Sequence, residues 1–303
     1  MSPTVETVAA DAGERLDVAV AKAADVTRSR ASRLIDAGAV RVNGVAVARS
    51  VRLAAGDRIA IELPDEPVAA APLAEDIAVP VVFEDEWLLV VAKPAGLVVH
   101  PAPGHPGGTL VNALLARVGR PLPGDDERPG IVHRLDAGTS GLMIVALQER
   151  ALERLREMMA AREVSRTYLA LVEGVPPAAA TIDAPIGRSP RHRKKMAVIA
   201  GGRDAVTDVR RLETLPDTAL VEARPRTGRT HQIRVHLSEA GYPIVGDRVY
   251  GRDRKLGAAL GLDRPFLHAA GLAFRHPITD APVKLSEPLP ADLERALELA
   301  RRA

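Results

Sequence analysis

The segment HRLDAGTSG (133–141) concentrates groups able to do chemistry. Asp136 stands close to His133 and Arg134, and Gly138 and Gly141 permit a tight backbone turn just before the apolar run LMIVAL (142–147). A carboxylate flanked this way marks a candidate functional loop on a rigid scaffold. The same residues are also compatible with Asp136 capping the turn or pairing with an arginine. Other chemistries lack their parts. Gly138, Thr139, Ser140 and Gly141 do not have the G-x-S-x-G spacing of a hydrolase nucleophile elbow. His231 and His236 are spaced H-x-x-x-x-H, which does not set both on one helix face as a zinc motif requires, and the chain has no cysteine to supplement them. With no phosphate-loop or dinucleotide glycine motif either, neither a metal nor a cofactor is expected.

Other residues gain weight from composition. Aromatic residues make up only 2% of the chain, so stacking of many bases is hard to build and Tyr168, in the polar-flanked strand RTYLALVEG (166–174), draws interest. The net charge of +2 (41 basic against 39 acidic residues) predicts no partner, but its distribution does. No Lys or Arg occurs between Ile59 and Ala92. RSPRHRKK (188–195), which includes Arg193, Lys194 and Lys195, is mostly basic, and residues 223–236 carry four Arg without an acid. Such patches neutralise phosphates, although RSPRHRKK alone reads equally well as a solvated face.

The elements that must position these groups fall into two parts, as 303 residues allow. A Pro-, Ala- and acid-rich stretch lies at 63–80, and we read residues 13–65 as a small N-terminal module, 66–80 as a linker and 81–303 as a second domain. The module reads as a helix at 16–24, then a helix after an Asp25 or Thr27 cap that buries Ala31, Leu34 and Ile35, displays Arg28, Arg30 and Arg33, and stops at Gly38. Turns are signalled at Val42-Asn43-Gly44 and Gly56-Asp57. In the second domain, strands are expected at 87–92, 142–147, 164–172, 205–212 and 219–223. Helices are expected at 151–161 and from about Thr230 to Gly241. The start of the chain lacks a signal peptide's basic region, and no run approaches the roughly 18 apolar residues of a membrane span. With no cysteines, a cytoplasmic protein without membrane partners is expected.

Residues 15–17 (RLD), 40–44 (VRVNG) and 56–59 (GDRI), around the Ser29-Arg30 helix, resemble the S4 RNA-binding module. The rest resembles the RluA/RluD-type family of RNA pseudouridine synthases. The similar segments are VVAKPAGLVVHP (90–101), GTLVNALL (108–115), HRLDAGTSGLMIVA (133–146), RTYLALVEG (166–174), RTGRTHQIRVHL (226–237), the GYPIVGDRVYG run (241–251) and FLHAAGLAFRHP (266–277). HPAPGHPGGT (100–109) leans toward the RluD-like members.

The resemblance implies an α+β protein: a small S4-like α/β module followed by a catalytic domain on a mixed, mainly antiparallel sheet flanked by helices. It implies cofactor-free isomerisation of uridine to pseudouridine in RNA, most directly in large-subunit rRNA or its assembly intermediate; a monomer is expected, although no residue pattern specifies the oligomeric state. It gives Asp136 the part of nucleophile or base, Arg229 that of the partner keeping Asp136 ionised, and Tyr168 that of the ring against the extruded base. Arg134 would fill the vacated stack. Arg28, Arg30, Arg33, Arg193, Lys194 and Lys195 are the candidate RNA contacts. The competing readings are a non-catalytic RNA-binding assembly factor on the same scaffold and an Asp-dependent hydrolase. Which uridines are modified, and whether Asp136 attacks C1′ or acts at C2′, are not written in these residues.

Overall fold

The computed structural model describes residues 4–9, 12–26, 28–48, 50–63, 72–101, 106–124, 128–190, 192 and 195–302, without the side chains of 28–30 and 33. The chain divides into two compact units, Met1–Ala71 and Pro72–Ala303. Among the described residues no helix is long and apolar enough to cross a membrane.

The first unit runs β1 (Thr4–Val8), α1 (Leu16–Ala23), α2 (Arg28–Asp36), β2 (Val40–Val42), β3 (Val45–Ala46) and β4 (Arg58–Glu62), with the sheet in the order β1-β4-β2-β3. Asn43 and Gly44 both have positive φ, as a two-residue hairpin turn between β2 and β3 requires. Leu16, Val20, Ala31, Leu34, Ile35, Val40, Ile59 and Ile61 form its core. Strand β1 precedes the start read from composition; it pairs with β4 along its length. The arginines Arg28, Arg30 and Arg33 lie on α2, but their side chains fall outside the described residues.

The second unit contains β5 (Val81–Glu84), β6 (Leu88–Lys93), α3 (Leu110–Val118), β7 (Ser140–Ala146), α4 (Glu149–Ala160), β8 (Ser165–Glu173) and β9 (Ala179–Asp183). It continues with β10 (Ile186–Arg188), β11 (Met196–Val198), β12 (Val206–Thr214), β13 (Thr218–Pro225), α5 (Gln232–Glu239), α6 (Arg254–Ala259), β14 (Leu267–Arg275), β15 (Pro282–Ser286) and α7 (Ala291–Arg302). Its large sheet has the order β5-β6-β7-β14-β8-β13-β12-β9, with β15 added on β14. Every pairing is antiparallel except β7 with β14. Residues 72–80, counted with the linker on composition, belong to this unit. Asn112 of α3 donates to Leu73 O (2.7 Å) and the Glu75 carboxylate accepts from Gly108 N (3.0 Å).

Both faces of the sheet are covered, which is why β6 and β7 read as continuous apolar runs rather than alternating ones. Leu89, Val91, Met143 and Val145 pack on one side in the core shared with α3, α5 and α7. Leu88, Val90, Leu142 and Ile144 pack on the other side against Leu152, Leu155 and Met158 of α4.

The middle of the sheet positions the HRLDAGTSG segment. Strands β7 and β14 run parallel for two residues only, His268 beside Ser140 and Ala269 beside Gly141. From Gly271 onward β15 pairs with β14 in place of β7, while β8 runs along the other edge of β14 from Leu267. The loop before β7 therefore emerges at a fork in the sheet. Gly141 has φ +116°, and a Cβ there would collide with the backbone of Ala269. Gly141→Ala is expected to cost about 3 kcal/mol or more through strain and the parted strands, lowering Tm by several degrees. Calorimetry decides this, and an unchanged Tm would show that the fork can open freely.

Candidate active site

The loop ahead of β7 alternates. His133 and Leu135 turn inward and are buried, whereas Arg134 is exposed and Asp136 half-buried. His133 Nε2 accepts from Ile144 N (3.0 Å), and burial together with Arg166 pushes its pKa down to about 3, so the ring is a neutral structural anchor. Thr139 N closes a turn onto Asp136 O (3.0 Å) and Gly96 N binds Ala137 O (2.8 Å). Arg264 reaches Gly138 O (3.3 Å) and Ser140 Oγ (3.2 Å), and Ser140 Oγ also meets His268 Nδ1 (2.9 Å).

Beneath the loop lies Lys93, the last residue of β6 and 1% exposed. Its Nζ donates to Pro94 O (2.8 Å), Leu97 O (2.8 Å) and Ala137 O (3.2 Å). Three acceptors match the three hydrogens of an ammonium, although burial lowers its pKa to about 7 against the opposing pull of Asp136. Lys93 fastens the KPAG and HRLD loops to each other.

Asp136 opens onto a cleft of about 290 Å³ lined also by Arg134, Arg166, Tyr168, Arg229, His231 and Arg234. That volume lies near the lower end of small-ligand sites, about 300–1,000 Å³. Tyr168 comes from the middle of β8, level with Ala223 of β13 and Ala269 of β14, and is 6% exposed. Burial raises its pKa, so it serves as a neutral ring at the wall of the cleft.

The resemblance implied Arg229 as the partner of Asp136, and the structure assigns that contact to Arg234. Arg234 Nη1 donates to Asp136 Oδ2 at 3.0 Å. Arg229 lines the same cleft, but its Nε donates to Asp204 O (2.9 Å). The reason is local. Gln232 begins α5 and accepts from Arg229 N and Thr227 Oγ1, while its own amide donates to Val206 O and Thr207 Oγ1. This fixes Arg229 before the helix, turned toward Asp204, and places Arg234 in the first turn facing the loop.

Arg234 is itself gripped from behind. Asp247, its side chain fully buried, takes Nε at 2.7 Å and Nη2 at 2.9 Å as a bidentate pair. Asp247 also accepts from Val249 N and Tyr250 N. Burial alone would raise the Asp247 pKa, but Arg234 and the two backbone donors outweigh it and hold it below the ordinary carboxylate value. For Arg234, burial lowers the pKa and the two carboxylates more than restore it, so the guanidinium is permanently charged. Asp247 uses two of its donor sites, leaving Nη1 for Asp136. Neither Arg234 nor Asp247 was singled out from the sequence, although both lie in the quoted RTGRTHQIRVHL and GYPIVGDRVYG segments. Their mark is burial, which only the structure shows: Gln232, Arg234 and His236 are all buried polar residues of α5.

Of the basic segment 188–195, Lys195 donates through Nζ to Val249 O (2.7 Å); Arg193 and Lys194 fall outside the described residues. Arg134 stands exposed at the cleft. A carboxylate held by a fixed guanidinium, beside a neutral aromatic ring and among further guanidiniums, can act on a neutral ring system attached to a polyanion.

Comparison with known proteins gives this chemistry its setting. The sequence profile described as RNA pseudouridylate synthase matches residues 87–239, and that of the S4 domain matches 14–59. An uncharacterized RNA pseudouridine synthase of Chloroflexus aurantiacus is 49% identical over 285 residues, covering 94% of this chain and 89% of that protein. The ribosomal large subunit pseudouridine synthase D of Xanthomonas campestris pv. campestris is 44% identical over 301 residues, covering 96% and 90%. Among solved structures, human RNA Pseudouridylate Synthase Domain Containing 1 is similar with a TM-score of 0.58 and 28% identity, covering 72% of this chain and 86% of that one. Identity of this order along nearly the whole chain means that the protein belongs to the RNA pseudouridine synthase family and is an RNA-modifying isomerase preceded by an S4 domain.

Proposed function

We propose that this synthase isomerises uridines of large-subunit (23S) rRNA, with Asp136 as the reacting carboxylate. The observation that carries the reading is the Asp136 carboxylate, bound through one oxygen to Arg234 and facing the cleft that Tyr168 walls. The target class is supported by the similarity to synthases named for the ribosomal large subunit.

Pseudouridine formation breaks the N1–C1′ bond of a uridine, turns the base and joins C5 to C1′, expelling the C5 hydrogen. The base must first leave the helix, which costs a few kcal/mol of unstacking. In the cleft the uracil lies against Tyr168, and Asp136 acts either on C1′ as a nucleophile or on the C2′ hydrogen as a base. Both routes need a carboxylate held in a fixed position in a partly desolvated site, and the Arg234 contact fixes it through Oδ2. Arg134 and Arg229, whose guanidiniums line the cleft, are placed to meet the flanking phosphates or the vacated stack.

The direct test is tritium release from C5-labelled uridine in 23S rRNA and in fragments of it, with small-subunit rRNA and transfer RNA as controls. Release confined to the controls would overturn the target assignment. Extrusion is tested separately. If Arg134 fills the vacated stack, Arg134→Ala should slow modification of a structured fragment about tenfold more than that of a short single strand, at saturating RNA and matched salt. Equal slowing of both substrates would remove the wedge role.

A further inference from the structure

Asp136 has two oxygens, and Arg234 binds one of them. Oδ2 accepts from Arg234 Nη1 at 3.0 Å, while Oδ1 faces Nε2 of His231 at 3.9 Å. His231 is placed there by an uncommon backbone. It is the residue before α5, with φ +57° in the left-handed region, and its ring stands at the cleft with 24% of the side chain exposed. Behind the ring, His231 Nδ1 lies 2.9 Å from the Tyr250 hydroxyl, and the two rings meet edge to face at 5.6 Å.

The hydrogen bonds point to the ring nitrogen that carries the proton. Met196 N donates to the Tyr250 oxygen at 2.9 Å, so that oxygen is already an acceptor. Tyrosine has one hydroxyl hydrogen to give, and His231 Nδ1 lies in position to receive it. With Met196 N already donating to this oxygen, we assign Tyr250 as the donor to Nδ1, so that the neutral imidazole carries its hydrogen on Nε2, facing Asp136. Burial favours the neutral ring; of the charges that face it, Asp136 and Asp247 oppose this and Arg234 and Arg134 reinforce it. The outer end of the chain of bonds is also secured. Met196 begins β11, and Lys195 before it holds Val249 O, so the loop bearing Tyr250 is fastened to the β10–β11 hairpin at two points.

We infer that His231 is a positioning residue for the isomerisation: its Nε2–H, fixed in that tautomer by Tyr250, steadies the Asp136 oxygen that Arg234 leaves open and holds it toward the extruded nucleotide. The inference rests on Asp136 being the reacting carboxylate. The gap of 3.9 Å suits this part. It leaves Oδ1 reactive in the free enzyme and closes to a hydrogen bond when the nucleotide excludes water, as contacts in substrate-free sites commonly do. The same tautomer argues against His231 as the base that takes the C5 hydrogen, because its cleft-facing nitrogen has no lone pair to offer.

The test combines single-turnover rates on saturating rRNA with nitrogen NMR of the imidazoles and RNA affinity, for wild type, His231→Asn, His231→Gln, Tyr250→Phe and Asp136→Asn. Asparagine tolerates the left-handed backbone but is too short to reach Asp136, whereas glutamine sets an amide N–H near the position of Nε2. The expected result is a wild-type spectrum of the Nε2–H form and a rate at least about tenfold lower in His231→Asn at unchanged RNA affinity. Partial recovery is expected in His231→Gln, and Tyr250→Phe should show a lower rate together with a shift away from the Nε2–H form. A wild-type rate in His231→Asn, a loss confined to RNA affinity, or an Nδ1–H spectrum in the wild type would each overturn the inference. Turnover by Asp136→Asn would instead overturn the reading of Asp136 itself, whereas an inactive Asp136→Asn beside a full-rate His231→Asn would sink the His231 inference alone.

Discussion

Asp136→Asn is expected to lower tritium release from C5-labelled uridine by about a thousandfold or more while the protein folds and binds RNA as before. The amide keeps the shape of the carboxylate, and its oxygen can still accept from Arg234 Nη1, which stands 3.0 Å from Asp136 Oδ2. Arg234 stays charge-compensated because Asp247 holds its other two donor sites. Nucleophilicity and basicity are both lost, so the variant fails by either chemical route, on structured and single-stranded substrates alike. Single-turnover release at saturating RNA is the decisive measurement. Residual turnover well above one part in about a thousand would mean that another group carries the reaction.

The second large effect falls on stability. Arg234→Met strands the fully buried Asp247 carboxylate with only the Val249 and Tyr250 backbone donors. Breaking one side of a buried ion pair costs about 3–5 kcal/mol, and activity should fall with it because Asp136 loses its partner. Arg234→Lys retains the charge but cannot form the bidentate fork, so it should recover stability better than turnover. Arg234→Met combined with Asp247→Leu removes the stranded charge and should regain stability without activity. Arg229→Met, by contrast, removes a guanidinium bonded to one backbone carbonyl, and its effect should appear in RNA affinity and salt dependence. Equal destabilisation by Arg229→Met and Arg234→Met would refute this division.

The pH dependence follows from the direction of the Asp247 shift. In the wild type its pKa lies below the ordinary value, so the stability it contributes is complete above the carboxylate range and is lost as pH falls through the lowered folded value. Without Arg234, burial dominates and raises the pKa. The penalty in Arg234→Met is then greatest at neutral pH and is relieved as the pH falls through that raised value. The gap in Tm between the two proteins should narrow on acidification. A gap that widens would show that Asp247 is not the stranded charge.

Much of the scaffold could be read from periodicity and turn residues. Leu88–Lys93, Ser140–Ala146 and Glu149–Ala160 fall where apolar runs or helical spacing placed a strand, a strand and a helix, and Gly38 and Gly241 lie just past α2 and α5. Strands β9, β10 and β11, the helix α6 and the edge strand β15 carry short or mixed patterns and were not legible. Their residues are partly exposed or paired only at sheet edges, so no periodic apolar face marks them.

By itself, the sequence determined the two-part organisation, the resemblance to a pseudouridine synthase, the loop that bears Arg134 and Asp136 and the strand that bears Tyr168. Each of these is encoded by contiguous residue types. Only the tertiary structure decided which guanidinium meets Asp136. Arg229 and Arg234 are five positions apart in one motif, and both line the cleft. The choice is made by contacts remote in sequence: Gln232 locked to β12, Asp247 gripping Arg234 from the following loop, and Asp136 arriving from 98 residues earlier at the β7–β14 fork. The same holds for the surroundings of His231, whose Nδ1 meets the Tyr250 hydroxyl, itself bound by a backbone N–H of β11. Local patterns specify elements because neighbours along the chain share a face. Pairing among charged side chains depends on which faces meet after the sheet has formed, and on the low dielectric that then makes a mismatched pair costly.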